Sequence, residues 1–234
     1  TSLSLTLPKE ASAEDVRAVL SAVPQLDTLV LSKQASLTSQ AQPEAGPAPL
    51  VHRGLQHLTL YGHSVRLLER VSFPQLQTLC IDGQRSFAQA RYDIAPLLRA
   101  HAPSLEQLSL LSGNWLCFQL GSDTDTSLVF PKLRAMQIAG CGELPAQLLP
   151  HCAAPQLKAL SLWVVPRSVD LTPLLLSCSH ALESLSVFRA AALFFRPPDS
   201  RVVSFPALTS IDVRSCADLA GLSLVAAPAL KQLS

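Results

Sequence analysis

The stretch FPKLRAMQIAGCGEL, residues 130–144, holds two patterns in succession. Met136 and Ile138 alternate with Ala135, Gln137 and Ala139, the two-residue period of a strand with one buried face. The last six residues then place Cys141 and Leu144 where a turn belongs. Working outward, the same arrangement recurs along the whole chain. Segments of the form (F/A)PxLxxL and variants of it, aligned on their first leucine, give Leu26, Leu55, Leu76, Leu105, Leu133, Leu157, Leu182, Leu208 and Leu230.

Each register continues with apolar residues three and five positions later. These are Leu29 and Leu31, Leu58 and Leu60, Leu79 and Ile81, Leu108 and Leu110, Met136 and Ile138, Leu160 and Leu162, Leu185 and Val187, and Ile211 and Val213. Eight short strands follow, and a ninth begins at Leu230. Leu3 and Leu5 fit an earlier copy.

This spacing resembles the leucine-rich repeat family, whose pattern is L-x-x-L-x-L-x-x-(N/C)-x-L with repeats of about 20–29 residues. The resemblance covers essentially all of 1–234. It implies an α/β fold: a single leucine-rich repeat solenoid, a horseshoe or arc with a concave parallel β-sheet and convex short helices and turns. About eight full repeats would be flanked by partial terminal ones. The start at Thr1 and the stop inside the ninth register lead us to expect part of a longer protein.

The asparagine or cysteine position departs from the family pattern. It holds Gln34, His63, Gln84, Gly113, Cys141, Val165, Ala190 and Cys216. Only Cys141 and Cys216 match, each with a leucine three residues on, Leu144 and Leu219. That spacing resembles the cysteine-containing, F-box-associated subtype, and implies a cysteine turned inward to reach backbone amides at the bend.

Between strands the connections differ in kind. Ser12 with Asp15 predicts a capping box before AEDVRAVLSAV; Asp93 with Pro96, and Thr172 with Pro173, open two more short helices. Phe73, Phe130 and Phe205, each followed by proline, are predicted to plug the core. Two stretches, 33–54 and 115–129, break the rhythm and read as insertions.

The bulk numbers narrow the function. A net charge of +1 on 234 residues gives no reason to expect nucleic acid. No run is long and apolar enough to span a bilayer, so no membrane partner is expected. The six cysteines form no CxxC pair, and we expect reduced thiols in an intracellular protein, cytoplasmic or nuclear.

No chemistry-bearing motif emerges. Asp123, Asp125 and Ser127 copy the start of a calcium loop, but Leu128 and Arg134 stand where glycine and a bidentate glutamate belong. His151 and Cys152 lack any zinc spacing. His101, His151 and His180 share one repeat position and are predicted to cap helix ends. There is no nucleophile elbow or phosphate loop. We therefore expect no enzyme, no cofactor and no metal.

Surface remains. The outward strand positions are mostly small and uncharged, while Tyr61, Leu111, Trp163 and Phe188 fall in one column at the C-terminal edge of the sheet. These aromatics suit a protein partner bound on the concave face or that edge, with Asp82, Asp212 and Arg214 supplying charged selectivity. A second reading folds Trp163 and Phe188 under the following turns. The expected role is a protein-binding scaffold. By resemblance it would be the substrate-recognition region of an F-box ubiquitin ligase adaptor, meeting the ligase through a segment upstream of Thr1. The sensor of an innate immune receptor, a pathogen effector, and a structural subunit of a large assembly stay open.

Overall fold

The computed structural model describes residues 1–8, 11–33, 50–68, 71–83, 91–119, 127–197, 202–220 and 225–233. Ten strands join one sheet in chain order: β1 (Ser2–Leu7), β2 (Thr28–Lys33), β3 (His57–Tyr61), β4 (Thr78–Asp82), β5 (Gln107–Leu111), β6 (Ala135–Ala139), β7 (Ala159–Asp170), β8 (Ser184–Phe194), β9 (Ser210–Arg214) and β10 (Gln232–Leu233). An eleventh, Leu219–Ala220, pairs with the far end of β8. All these pairings are parallel. Parallel neighbours cannot be joined by a tight hairpin, so the chain must cross over between each pair. The recurring spacing of the leucines supplies that crossover.

The register carries the sequence alignment into space. Leu3 lies beside Leu29, and Leu29 beside Leu58; Leu79, Leu108, Met136, Leu160, Leu185 and Ile211 continue the row. With a side-chain period of two, this register sends one apolar set to one face along the sheet. From Leu29 to Leu185 the row is buried, and Ile211 in the last complete strand is half-buried. Phe73, Phe130 and Phe205 are fully enclosed behind the sheet. Each such side chain stabilises the fold by about 1.5–3 kcal/mol relative to exposure.

The opposite side of the core is closed by α1 (Ala13–Ala22), α2 (Ala95–His101), α3 (Leu144–Leu148), α4 (Thr172–Ser177) and short 3-10 turns. Ser12 and Asp15 form the predicted reciprocal cap. At α2 the Asp93 carboxylate accepts from the amides of Ala95 (2.9 Å) and Gln119 (3.0 Å). At α4 that task falls to Asp170, which accepts from the Thr172 amide at 2.8 Å, while Thr172 Oγ1 accepts from Arg196 N at 2.7 Å. The two aspartates thus cap helices from the same offset, so Thr172 is the first helical residue and not the cap.

Both stretches read as insertions are structured at their described ends. Trp115, Leu116, Cys117 and Phe118 are buried, and Leu116–Cys117 pairs with Tyr92–Asp93. Three aromatic or branched side chains in four residues bury more area than a projecting loop offers. At the other end, Leu128–Val129 pairs with Cys152–Ala153, and Leu50–Val51 pairs with Val71–Ser72. Residues 34–49 and 120–126, including Asp123 and Asp125, lie outside the described residues.

β7 and β8 are twice the length of their neighbours. They pair from Ala159 and Ser184 to Trp163 and Phe188, then resume from Val165 and Ala190 to Asp170 and Phe194, with a bulge between Val165 and Ser168. Pro166 sits in that bulge, where its missing amide costs no ladder bond. Among the described residues no helix is long and apolar enough to cross a membrane.

Candidate functional site

The outward face of the sheet presents three columns. The first two are Thr28, His57, Thr78, Gln107, Ala135, Ala159, Ser184 and Ser210, and Val30, Thr59, Cys80, Ser109, Gln137, Ser161, Ser186 and Asp212. Small hydroxyls and amides dominate. Short bonds tie some of them across strands, such as His57 Nδ1 with Thr78 Oγ1 at 3.0 Å.

The third column runs along the C-terminal edge as Ser32, Tyr61, Asp82, Leu111, Ala139, Trp163, Phe188 and Arg214. It brings together six of the seven residues predicted from sequence; Asp212 stands one column inward, behind Arg214. Tyr61 is 42% exposed and stands apart from the Trp163–Phe188 pair, with Asp82, Leu111 and Ala139 between.

Asp82 is a correction. Only 9% of it is accessible, so it cannot present a charge to a partner. The chain behind it explains why. Gly83 N donates to Leu111 O at 2.7 Å, and a Cβ at Gly83 would stand 2.3 Å from Ser112 O. The backbone is close-packed at this point. Its field contributes to raising the thiol pKa of Cys80, after burial, and of Cys141 to a lesser degree.

Trp163 and Phe188 are adjacent in register and meet edge to face, their centroids 6.3 Å apart at 63°. Trp163 is 46% exposed and Phe188 half-buried. The pair therefore stands on the surface and is not folded beneath the turns. Arg189 lays its guanidinium 5.1 Å from the Phe188 centroid, a cation–π arrangement. Arg214 Nε donates to Asp212 Oδ1 at 2.7 Å.

The residue after the third column takes a left-handed backbone in six strands: Gly62, Ser112, Gly140, Val164, Arg189 and Ser215 all have φ between 51° and 62°. The geometry bends the chain after the third column; in β7 and β8 the ladder resumes one residue further on, at Val165 and Ala190. Glycine adopts it freely, whereas a β-branched residue there is strained. Val164, itself 47% exposed, and Arg189 extend the aromatic pair along the edge. Sequence reasoning missed both. The signal was glycine at the eighth position of the register in Gly62 and Gly140, both left-handed, a backbone preference that Val164 and Arg189 break.

His101 and Cys141 serve the interior. His101 is 1% exposed, and its Nδ1–H donates to Phe73 O of the preceding turn at 3.2 Å. It caps a neighbouring turn and not its own helix, as the sequence had suggested. Burial pushes its pKa below the ordinary value. His151 stacks on Phe118 at 6.5 Å, and His180 is exposed. Cys141 is buried with its sulfur 3.3 Å from Leu110 O and 3.4 Å from Ala139 O, and burial raises its pKa to about 11. Cys216, the other matched cysteine, is half-buried and reaches only Arg214 O at 3.5 Å. Among the described residues no group of three or more His, Cys, Asp and Glu side chains could hold a metal ion.

No protein family, curated protein or solved structure matches this chain.

Proposed function

We propose that the chain is a leucine-rich repeat solenoid that acts as a non-catalytic scaffold for binding another protein. The observation that carries this reading is the Trp163–Phe188 pair, held edge to face at the rim of an almost uncharged sheet face. Rigid aromatics bury much area at small entropic cost, and anchors of this kind dominate protein interfaces. The sequential parallel register and the recurring left-handed turn support the solenoid. A narrower role in substrate recognition for an F-box ligase rests on the cysteine resemblance. Cys141 is turned inward as that resemblance implies, though its thiol reaches the Leu110 and Ala139 carbonyls where amides were expected; Cys216 is less buried.

The test is affinity capture from the source cells with the wild-type chain beside a Trp163→Ala/Phe188→Ala variant of matched thermal stability. Stable protein partners recovered by the wild type and lost by the variant support the scaffold reading at this edge. Equal recovery by both rejects the edge as the site, and co-purifying ligase subunits would support the narrower role.

A further inference from the structure

We infer that the partner segment docking at the Trp163–Phe188 edge is an acidic peptide with an apolar anchor. This rests on the scaffold reading above and adds the chemistry of the occupant. Its basis is the uneven distribution of charge between the two edges of the sheet.

At the N-terminal edge the residues just before the strands are of both signs: Asp27, Glu106, Arg134, Lys158, Glu183 and Lys231. They include an exposed Lys158–Glu183 ion pair of 2.7 Å. Three carboxylates face three cations, so that edge favours neither sign of ligand. The C-terminal edge differs. Among the described side chains of the third column and of the turn position after it, the charged groups are Asp82, Arg189 and Arg214. Asp82 is buried. The nearest outward carboxylate, Asp212, is already bound to Arg214.

Arg189 is left as the exposed cation beside the aromatics, with no carboxylate partner among the described residues. Further from the sheet, Glu143 is paired with Arg167, and Asp170 caps α4. The exposed Asp218 stands between Ala217, whose amide donates to Ala190 O at 3.1 Å, and Leu219, the register partner of Leu193, about three residues along β8 from Arg189, with no ion pair between the two among the described residues. The surface around the two rings is therefore apolar and net positive.

A guanidinium stacked on a ring keeps its in-plane N–H groups free for a carboxylate. The position also shows what the chain tolerates to keep these side chains there. Val164 and Arg189 hold φ of 55° and 54° where other strands use glycine or serine. Strain at surface residues that flank exposed aromatics points to selection for what those side chains contact. An apolar side chain of the partner would cover Trp163 and Val164, and a neighbouring carboxylate would meet Arg189, strengthened by exclusion of water from the pair.

The experiment is selection of a displayed library of random dodecapeptides on the whole chain, run in parallel on wild type, Trp163→Ala/Phe188→Ala, Arg189→Glu and Arg189→Lys. Enriched peptides should combine aspartate or glutamate with an aromatic or large aliphatic residue. That acidic bias should persist on Arg189→Lys, disappear on Arg189→Glu, and give way to no enrichment on the double variant. The most enriched peptide should bind wild type only about two- to threefold more weakly when salt is raised from about 50 to 500 mM, since a partly water-excluded pair is screened less than an exposed one. The salt series uses wild type alone and holds even if a variant fails to fold. Neutral or basic peptides that still need Trp163 and Phe188 would overturn the charge inference while leaving the scaffold reading intact. No enrichment, or enrichment indifferent to the double variant, would overturn both. Binding of glycans or nucleic acid in place of peptides would do the same.

Discussion

Val164 and Arg189 occupy equivalent turns on adjacent strands, and both hold a left-handed backbone that the chain elsewhere gives to glycine or serine. Each follows an aromatic residue of the edge pair. A β-branched residue in this region is disfavoured by about 1–2 kcal/mol through contact of its Cβ with the backbone. The strain is local, because the ladder resumes at Val165 and Ala190.

Replacing Val164 with glycine is therefore expected to stabilise the fold by about 1 kcal/mol, read as a higher urea midpoint at unchanged slope. The reverse change, Gly140→Val at φ 62°, should destabilise by about 1–2 kcal/mol. A Cβ at Gly140 meets nothing closer than 3.6 Å, so Gly140→Ala run beside it reads the backbone term without crowding. A lower midpoint for Val164→Gly would show that the valine's packing outweighs its strain.

His101 should make stability depend on acidity. Its Nδ1–H is committed to Phe73 O, and its Nε2 is buried without a hydrogen-bond partner. Protonation would place a charge there with nothing to receive it. The folded pKa is lowered, first by desolvation, from an ordinary 6.5. The folded state thus binds fewer protons than the unfolded one below that value. Stability is full above about pH 6.5 and falls as the pH drops toward the folded pKa. His101→Leu should lose some stability at pH 7, because Phe73 O keeps only its bond from Leu76 N, yet show a smaller decline between pH 7 and 5 than wild type in urea melts. An identical decline in both would remove His101 as a source of the pH dependence.

The strand rows were legible because a leucine at fixed spacing reports the buried face directly, and a parallel register aligns like with like. Leu29, Leu58 and Leu79 needed no knowledge of the turns. What escaped the sequence depends on how the backbone closes between strands. Asp82 alternates correctly with Leu79 and Ile81 yet is buried, in a stretch where Gly83 packs closely on the Ser112 carbonyl. Trp115 and Phe118 sit among polar turn formers and looked like a projecting loop, while in space they fill the layer behind β5. Trp163 was undecided between surface and core, because a strand end has no periodicity left to assign a face. The left-handed turn after it decides the matter.

Thiol reactivity should separate the cysteines by depth. Burial pushes the pKa of Cys141 to about 11 and those of Cys152 and Cys178 to about 12. The thiolate is the nucleophile, so at pH 8 these three should resist iodoacetamide in the folded protein and react only in urea. Cys216, half-buried in the last complete turn, should be modified first, as read by peptide mass mapping over time. Early modification of Cys141 would mean that the bend it lines opens on the labelling timescale.

The chain's two tryptophans offer a direct check on the edge. Trp115 is 4% exposed and Trp163 46%. In Trp163→Phe the remaining emission from Trp115 should be blue-shifted and resist acrylamide, whereas in Trp115→Phe the emission from Trp163 should be red-shifted and readily quenched. Stability should divide the same way. Trp115→Ala removes a ring from the interior and is expected to cost about 3–5 kcal/mol. Trp163→Ala loses part of one exposed ring and one edge-to-face contact with Phe188, about 1 kcal/mol. That asymmetry makes Trp163 usable as a binding probe, since its removal leaves the fold standing. Ligand binding at the edge should then shift the Trp163 emission to the blue and protect it from acrylamide. A Trp163 that is shielded from quencher in the free chain would place the ring under the turn and remove the anchor.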